Sequence, residues 1–271
     1  MSEWKLIRAK KISSCEVCKR KVPTGEPIYW SRSSSTIRCE ADRPVDINDG
    51  EGNVVGVAGA SARRQYKSKA NWDEGAINKR FPKIGRVLNL FNDDPQSTMA
   101  WKQGAEGEEA VGEFLAAFAE KNGCVLLNDR RIRGSKANID HMLVTDKAVF
   151  VVDAKNYRGL VSVEYESFFS KKEILKIDGK DRTKLVLGVQ KQVSLVREAL
   201  SDEIRSPESI QGVLAFFAAD WPLISPPKQI LDVKINGRKG LADLIQKQSK
   251  FEDLDIRKII NILLVSFPSA T

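Results

Sequence analysis

The chain has 271 residues, with 42% hydrophobic and 30% charged side chains, a composition that suits a globular protein with one sizeable domain and a small one. Four cysteines are too few for a disulfide scaffold, and the longest apolar run, 259–267, falls far short of the roughly 20 residues that span a membrane. The net charge of +8 gathers in the N-terminal third, as a polyanionic partner would require: residues 1–24 hold seven Lys/Arg against two Glu, residues 61–90 hold eight against two acids, and residues 91–271 are neutral.

The opening residues lack the apolar core of a signal peptide, so a cytoplasmic protein is expected. Residues 1–45 show little helical periodicity and hold the pair Cys15-Glu-Val-Cys18, followed by Cys39. This spacing resembles a zinc knuckle in a small ribbon or treble-clef module, with Lys19-Arg20-Lys21 and a turn at Gly25 behind it. Such modules use four ligands, and the position where a fourth Cys or His is usual holds Asp42. Cys15, Cys18, Cys39 and Asp42 could therefore ligate zinc, and the pattern is equally compatible with a knuckle held by packing alone. No thioredoxin-like strand–helix–strand pattern surrounds the pair, which argues against a redox role.

Residues 46–100 read as a connector. It opens with loop sequence rich in glycine (Gly50, Gly52, Gly56, Gly59), continues into a basic helical stretch at 60–69, and ends at the turn Asp93-Asp94-Pro95. The third region, 101–268, is periodic throughout. A helix is expected over about 105–122, stopped by Asn122-Gly123, then a strand at 124–128 that buries Cys124. A basic loop with Arg130, Arg131, Arg133 and Lys136 leads to two strands, 138–144 and 148–155, that read as a hairpin. A strand pair (160–166, 172–177), a helix (182–201), a strand (212–218), a short strand (230–235) and two helices (238–248, 255–264) follow. That order implies an α/β fold around a mixed sheet.

The chemistry concentrates on the hairpin. Side chains alternate along a strand, so Val149, Val151, Asp153 and Lys155 share a face, and the neighbouring strand brings up Asp140. Two carboxylates at a strand end can hold Mg²⁺ or Mn²⁺, with a lysine beside them to counter phosphate charge. On the preceding helix, Glu108 falls on the stripe of Val111, Leu115 and Phe118, whereas Glu106 and Glu109 point elsewhere. On the later helix, Gln192 lies on the stripe of Val189, Val193 and Val196, whereas Gln190 aligns with Ser194 and Arg197 on the wet side. His141, the only histidine, faces away from Asp140 and suits a structural role.

Three runs carry a family resemblance: Gly104-Ala105-Glu106-Gly107-Glu108-Glu109-Ala110-Val111, Ala137-Asn138-Ile139-Asp140-His141, and Val152-Asp153-Ala154-Lys155-Asn156-Tyr157-Arg158-Gly159. Together they resemble the NERD (nuclease-related) domain of the PD-(D/E)xK nuclease superfamily, over roughly 101–265, with Arg182-Thr183-Lys184-Leu185 and Gln192-Val193 resembling a later helix. The resemblance implies a restriction-endonuclease-like mixed sheet flanked by helices, an active set of Glu108, Asp140, Asp153 and Lys155 supported by Gln192, a Mg²⁺-type cofactor and phosphodiester hydrolysis. Nucleic acid, DNA foremost, is the expected partner, with Arg131, Arg133 and Lys136 as phosphate contacts or as a solvated loop. The alternative is a non-catalytic binding or interaction protein that uses the fold as a scaffold. The N-terminal module could also dock a protein partner or a second copy of the chain.

Overall fold

A computed structural model describes residues 4–44, 53–64, 96–135, 137–167 and 170–270. The N-terminal part is a small β unit. Strands β1 (Trp4–Arg8), β4 (Pro27–Ser31) and β5 (Ile37–Cys39) pair antiparallel in the order β1-β4-β5, beside a hairpin of β2 (Ser13–Ser14) and β3 (Lys21–Val22). Its buried core consists of Ala9, Cys15, Val17, Val22, Ile28 and Cys39.

The rest is built on one sheet. Among the described residues, seven strands join it: β6 (Val54–Val55), β7 (Val125–Arg131), β8 (Asn138–Val144), β9 (Val149–Lys155), β13 (Ile210–Phe216), β14 (Gln229–Ile230) and β15 (Val233–Gly237). Their order is β14-β15-β13-β9-β8-β7-β6. Strands β7, β8 and β9 run antiparallel in sequence, whereas β9 pairs parallel with β13, and β13 with β15. The parallel step is made by a crossover through β10 (Val161–Ser167), β11 (Ser170–Ile177), β12 (Lys180–Asp181) and helix α2 (Thr183–Ala199). Parallel neighbours require such a crossover.

The alternation expected on β9 sorts its side chains between two cores. Val149 and Val151 pack with Val189, Val193 and Val196 of α2 and with Ile259, Ile260, Leu263 and Leu264 of helix α4 (Ile256–Ser266). Phe150, Val152 and Ala154 pack on the opposite face with Val111, Leu115 and Ala119 of helix α1 (Gln96–Asn122) and with Leu241 and Ile245 of helix α3 (Arg238–Gln246). The mixed sheet is thus covered by helices on both faces, as the sequence implies. Helix α1 ends where expected, with Gly123 at a positive φ of 64°. Cys124 is buried. No described helix is long and apolar enough to cross a membrane.

Helix α1 begins at Gln96, inside the segment read as connector, and two further local assignments differ from the sequence reading. The segment read as connector loop supplies β6, which pairs parallel with β7 through Val54↔Leu126 and Val55↔Leu127. A two-residue strand is too short to show periodicity. Behind it Gly56 sits at φ 84°, where a Cβ would lie 2.4 Å from the Asn128 carbonyl oxygen, so only glycine fits. A helical turn at 60–64 follows, and the remainder of the basic stretch, from 65, lies outside the described residues. The second difference concerns Arg130 and Arg131, which belong to β7 rather than to the loop. Arg130 is fully buried because a counter-charge, described below, reaches it from the N-terminal unit.

Candidate active site

The end of β9 collects the expected side chains. Asp153 and Lys155 project from the face of Val149 and Val151, and Lys155 Nζ lies 2.7 Å from Asp153 Oδ2 and 3.9 Å from Asp140 Oδ2. Lys155 Nζ also donates to the Ala154 carbonyl at 3.1 Å. Asp140 is held in place from the neighbouring strand, because its Oδ2 accepts from the Ala154 backbone N–H at 2.9 Å. The hairpin backbone therefore fixes the Asp140 carboxylate and the Lys155 ammonium group, while Asp153 is held by the Lys155 and Gln192 side chains.

Glu108 arrives from the helix covering the other face. Gly107 lets α1 close on the end of β9, since a Cβ there would lie 2.8 Å from the Asn156 Cβ. Burial, reinforced by the Asp140 charge, pushes Glu108 up to about 9. Burial also raises Asp140, against the pull of Lys155 and of the Ala154 N–H. Asp153 is pushed up to about 6 by burial, with Lys155 and Gln192 acting in the opposite direction. Burial opposes the charge on Lys155, but Asp153 and Asp140 more than compensate and hold it above the usual lysine range. Three carboxylates thus share one half-buried cation, and the site carries less positive charge than its acids could use.

Gln192 stands against Asp153 from α2, as its place on the buried stripe predicts, and its Oε1 is buried without a hydrogen-bond partner. Gln190 is half-buried beside the exposed Arg197, and its Nε2 donates to the Leu231 carbonyl at 2.6 Å, in the turn between β14 and β15. Glu109 pairs with Arg63 and Glu106 is exposed, so neither joins the carboxylate group. His141 points to the α1 face. Its Nδ1 shares a hydrogen bond of 2.8 Å with Asn128 Oδ1, and burial pushes it down to about 4, so it is a neutral core residue.

Arg131 and Arg133 lie at the same end of the sheet as Asp140, where β7 runs out beside the start of β8. Each donates from Nη2 to a C-terminal carbonyl, Arg131 to Ala270 at 3.1 Å and Arg133 to Val265 at 2.8 Å. Lys136 lies outside the described residues. Sequence reasoning missed Asp129, which accepts from Ser61 N and Ser61 Oγ at 2.7 Å each and from Asn138 Nδ2 at 3.2 Å, tying the 60–64 turn to the strand that carries Asp140. Its signal is local: it takes a positive φ of 51° between two strand-forming runs, which a sequence shows only as one more polar residue. Also unforeseen is the stacking of the Arg182 guanidinium over Tyr157, 5.0 Å from the ring centre, on the loop leaving β9.

The cysteine group is the second candidate centre. Cys15, Cys18, Cys39 and Asp42 present four ligand atoms within 4.8 Å of one another and could hold a metal ion. The Cys18 and Cys39 sulfurs hold Cys15 well below the usual thiol range; Cys18 is pushed up by Cys15 and Cys39, and Cys39 is raised to about 11, chiefly by Cys15. The sulfurs thus oppose one another's ionisation, and a cation would favour thiolates on all three.

Residues 103–217 match the family model of the nuclease-related domain, a span that includes Glu108, Asp140, Asp153, Lys155 and Gln192. No curated protein and no solved structure matches the chain. Residues 103–217 of this chain are thus similar to a nuclease-related (NERD) domain, on a mixed sheet flanked by helices, and a cysteine cluster lies near the N-terminus.

Proposed function

We propose that the protein is a metal-dependent nuclease that hydrolyses phosphodiester bonds in nucleic acid, DNA foremost. The observation that carries this reading is the burial of Glu108, Asp140 and Asp153 around the single cation of Lys155. The donor set fits Mg²⁺ or Mn²⁺: the carboxylates and the Ala154 carbonyl are hard oxygens, burial leaves the acids short of positive charge, and the buried Gln192 Oε1 lacks a partner. Asp140, Asp153 and Glu108 would hold the ion. Bound there, it would offset phosphate charge and make water easier to deprotonate.

The chain's own residues supply the rest. Lys155, fixed by Asp153 and the Ala154 carbonyl, places an ammonium group where charge develops on the phosphate during displacement. Glu108 keeps its proton at neutral pH until a cation enters, and then releases it to become a ligand. Gln192 positions Asp153. Arg131, Arg133 and Lys136 would contact the phosphate backbone, since one carbonyl occupies only one of the five donors of each guanidinium.

In this reading residues 1–45 are a zinc-bearing module, residues 46–100 a basic connector that lends β6 to the sheet, and residues 101–268 the nuclease domain. The test is incubation with circular single-stranded and supercoiled duplex DNA in Mg²⁺, Mn²⁺ or EDTA, beside Asp153→Ala and Lys155→Ala. Cutting that needs metal and vanishes in both variants is expected. Cutting that persists in both variants would overturn the reading, and binding without cutting on any substrate would favour a non-catalytic nucleic-acid-binding protein.

A further inference from the structure

Three edges of the cysteine cluster match those of a tetrahedral zinc site, and all four ligand atoms lie within 4.8 Å of one another. Zinc bonds of about 2.3 Å to sulfur and about 2.0 Å to oxygen, at tetrahedral angles, give ligand-to-ligand edges of about 3.8 Å between sulfurs and about 3.5 Å between sulfur and oxygen. Cys18 Sγ lies 3.6 Å from Cys39 Sγ, too far for a disulfide, and Asp42 Oδ2 lies 3.6 Å from Cys15 Sγ and 3.5 Å from Cys39 Sγ. Cys15, Cys39 and Asp42 are fully buried.

The second oxygen of Asp42 leaves the N-terminal unit. Asp42 Oδ1 accepts from Arg130 Nη2 of β7 at 2.6 Å and from the Ser269 backbone N–H at 2.9 Å. Arg130 in turn donates from Nε to the Phe267 carbonyl at 2.9 Å. Neither the Asp42 nor the Arg130 side chain is exposed to solvent. One carboxylate therefore faces the sulfur cluster with one oxygen and the nuclease sheet with the other. The charge is largely offset: three thiolates and Asp42 would face a divalent ion and Arg130, with Arg20, which also pairs with Glu26, beside Cys39. A core as small as that of the N-terminal unit gives little stability on its own, and two of its six buried members are ligand cysteines.

We propose that Cys15, Cys18, Cys39 and Asp42 bind one Zn²⁺ and that this ion is a clasp: Asp42 ligates it through Oδ2 and, through Oδ1, fastens the N-terminal unit to β7 and to the C-terminal segment. The proposal rests on the reading of the cluster as a zinc site and is independent of whether the end of β9 cuts nucleic acid. With zinc bound, the Asp42 carboxylate cannot rotate away from Arg130 and Ser269. Without it, Asp42 Oδ2 keeps only its contacts of 3.6 and 3.5 Å with the Cys15 and Cys39 sulfurs, on the short 3-10 turn Glu40–Asp42, to hold the carboxylate toward Arg130 and Ser269.

The test uses the full chain. Elemental analysis of the purified protein should find one zinc per chain, and less than a tenth of that in Cys18→Ser. Hydrogen exchange is then followed by mass spectrometry in the zinc-loaded protein, after removal with a zinc-selective chelator under reducing conditions, and in Cys18→Ser. Peptides covering 125–131 and 267–270 should exchange at least tenfold faster without zinc and recover when zinc is restored, while 149–155 and 210–216 stay protected. Zinc-free protein as purified, or zinc retained by Cys18→Ser, would overturn the site itself. Zinc present and removable, with exchange at 125–131 and 267–270 unchanged or with all four regions rising together, would overturn the clasp and leave the zinc reading standing.

Discussion

Lys155 Nζ lies 2.7 Å from Asp153 Oδ2, so the two charged side chains that β9 projects from one face are an ion pair in the protein alone. The pair has a consequence for metal binding that differs from its consequence for catalysis. Replacing Lys155 by Met removes the one cation competing for the carboxylates. Lys155→Met should bind Mn²⁺ at least as tightly as the parent protein in calorimetry, yet cut DNA at least a hundredfold more slowly, on the order of 3 kcal/mol of barrier. Loss of both binding and cutting would show that Lys155 serves the fold of the site rather than the reaction.

Glu108 is a stability liability in the metal-free protein. In the unfolded chain it loses its proton near the ordinary value of 4.5, whereas folded it keeps the proton until about pH 9. The folded state therefore binds more protons between these values, and stability falls as pH rises through that window. Glu108→Gln removes the penalty. Denaturant titration should find the metal-free variant more stable by on the order of 3 kcal/mol at pH 7, with the difference growing from pH 5 to pH 9 and shrinking in saturating Mn²⁺. A difference that does not change with pH would contradict this.

Breaking the Arg130–Asp42 pair should be costly, because it leaves a buried carboxylate without its counter-charge. Arg130→Ala is expected to lower stability by about 3–5 kcal/mol, read as a shifted midpoint in denaturant. Replacing Arg64, which reaches the same C-terminal segment through the Ala270 carbonyl at 2.7 Å but is exposed, should cost about 1 kcal/mol. Equal costs for the two would mean that burial of the pair is not what matters.

If Arg131 and Arg133 meet phosphates, their removal acts on affinity through counterion release. In an Asp153→Ala background, which isolates binding, Arg131→Ala with Arg133→Ala should lower the slope of log K against log salt by about 2. An unchanged slope would return both residues to a purely structural role beside the C-terminal carbonyls of Ala270 and Val265.

The sequence by itself determined the parts of the site that follow a short period. Alternation placed Asp153 and Lys155 on one face of β9, and the helical stripe through Val111 and Leu115 selected Glu108 over Glu106 and Glu109. The same argument selected Gln192, which stands against Asp153. It did not reveal the partner of the half-buried Gln190, the carbonyl of Leu231, 41 residues away in a turn that helical periodicity cannot see. It failed for β6, whose two residues are too few to show a pattern. It failed most for Arg130, read as part of a basic loop and found at zero exposure, because Asp42 meets it from 88 residues earlier in the chain. A periodic pattern records which side of its own element a residue occupies. Only the tertiary structure decides which distant charge stands opposite, and a buried arginine is stable only where such a charge is supplied.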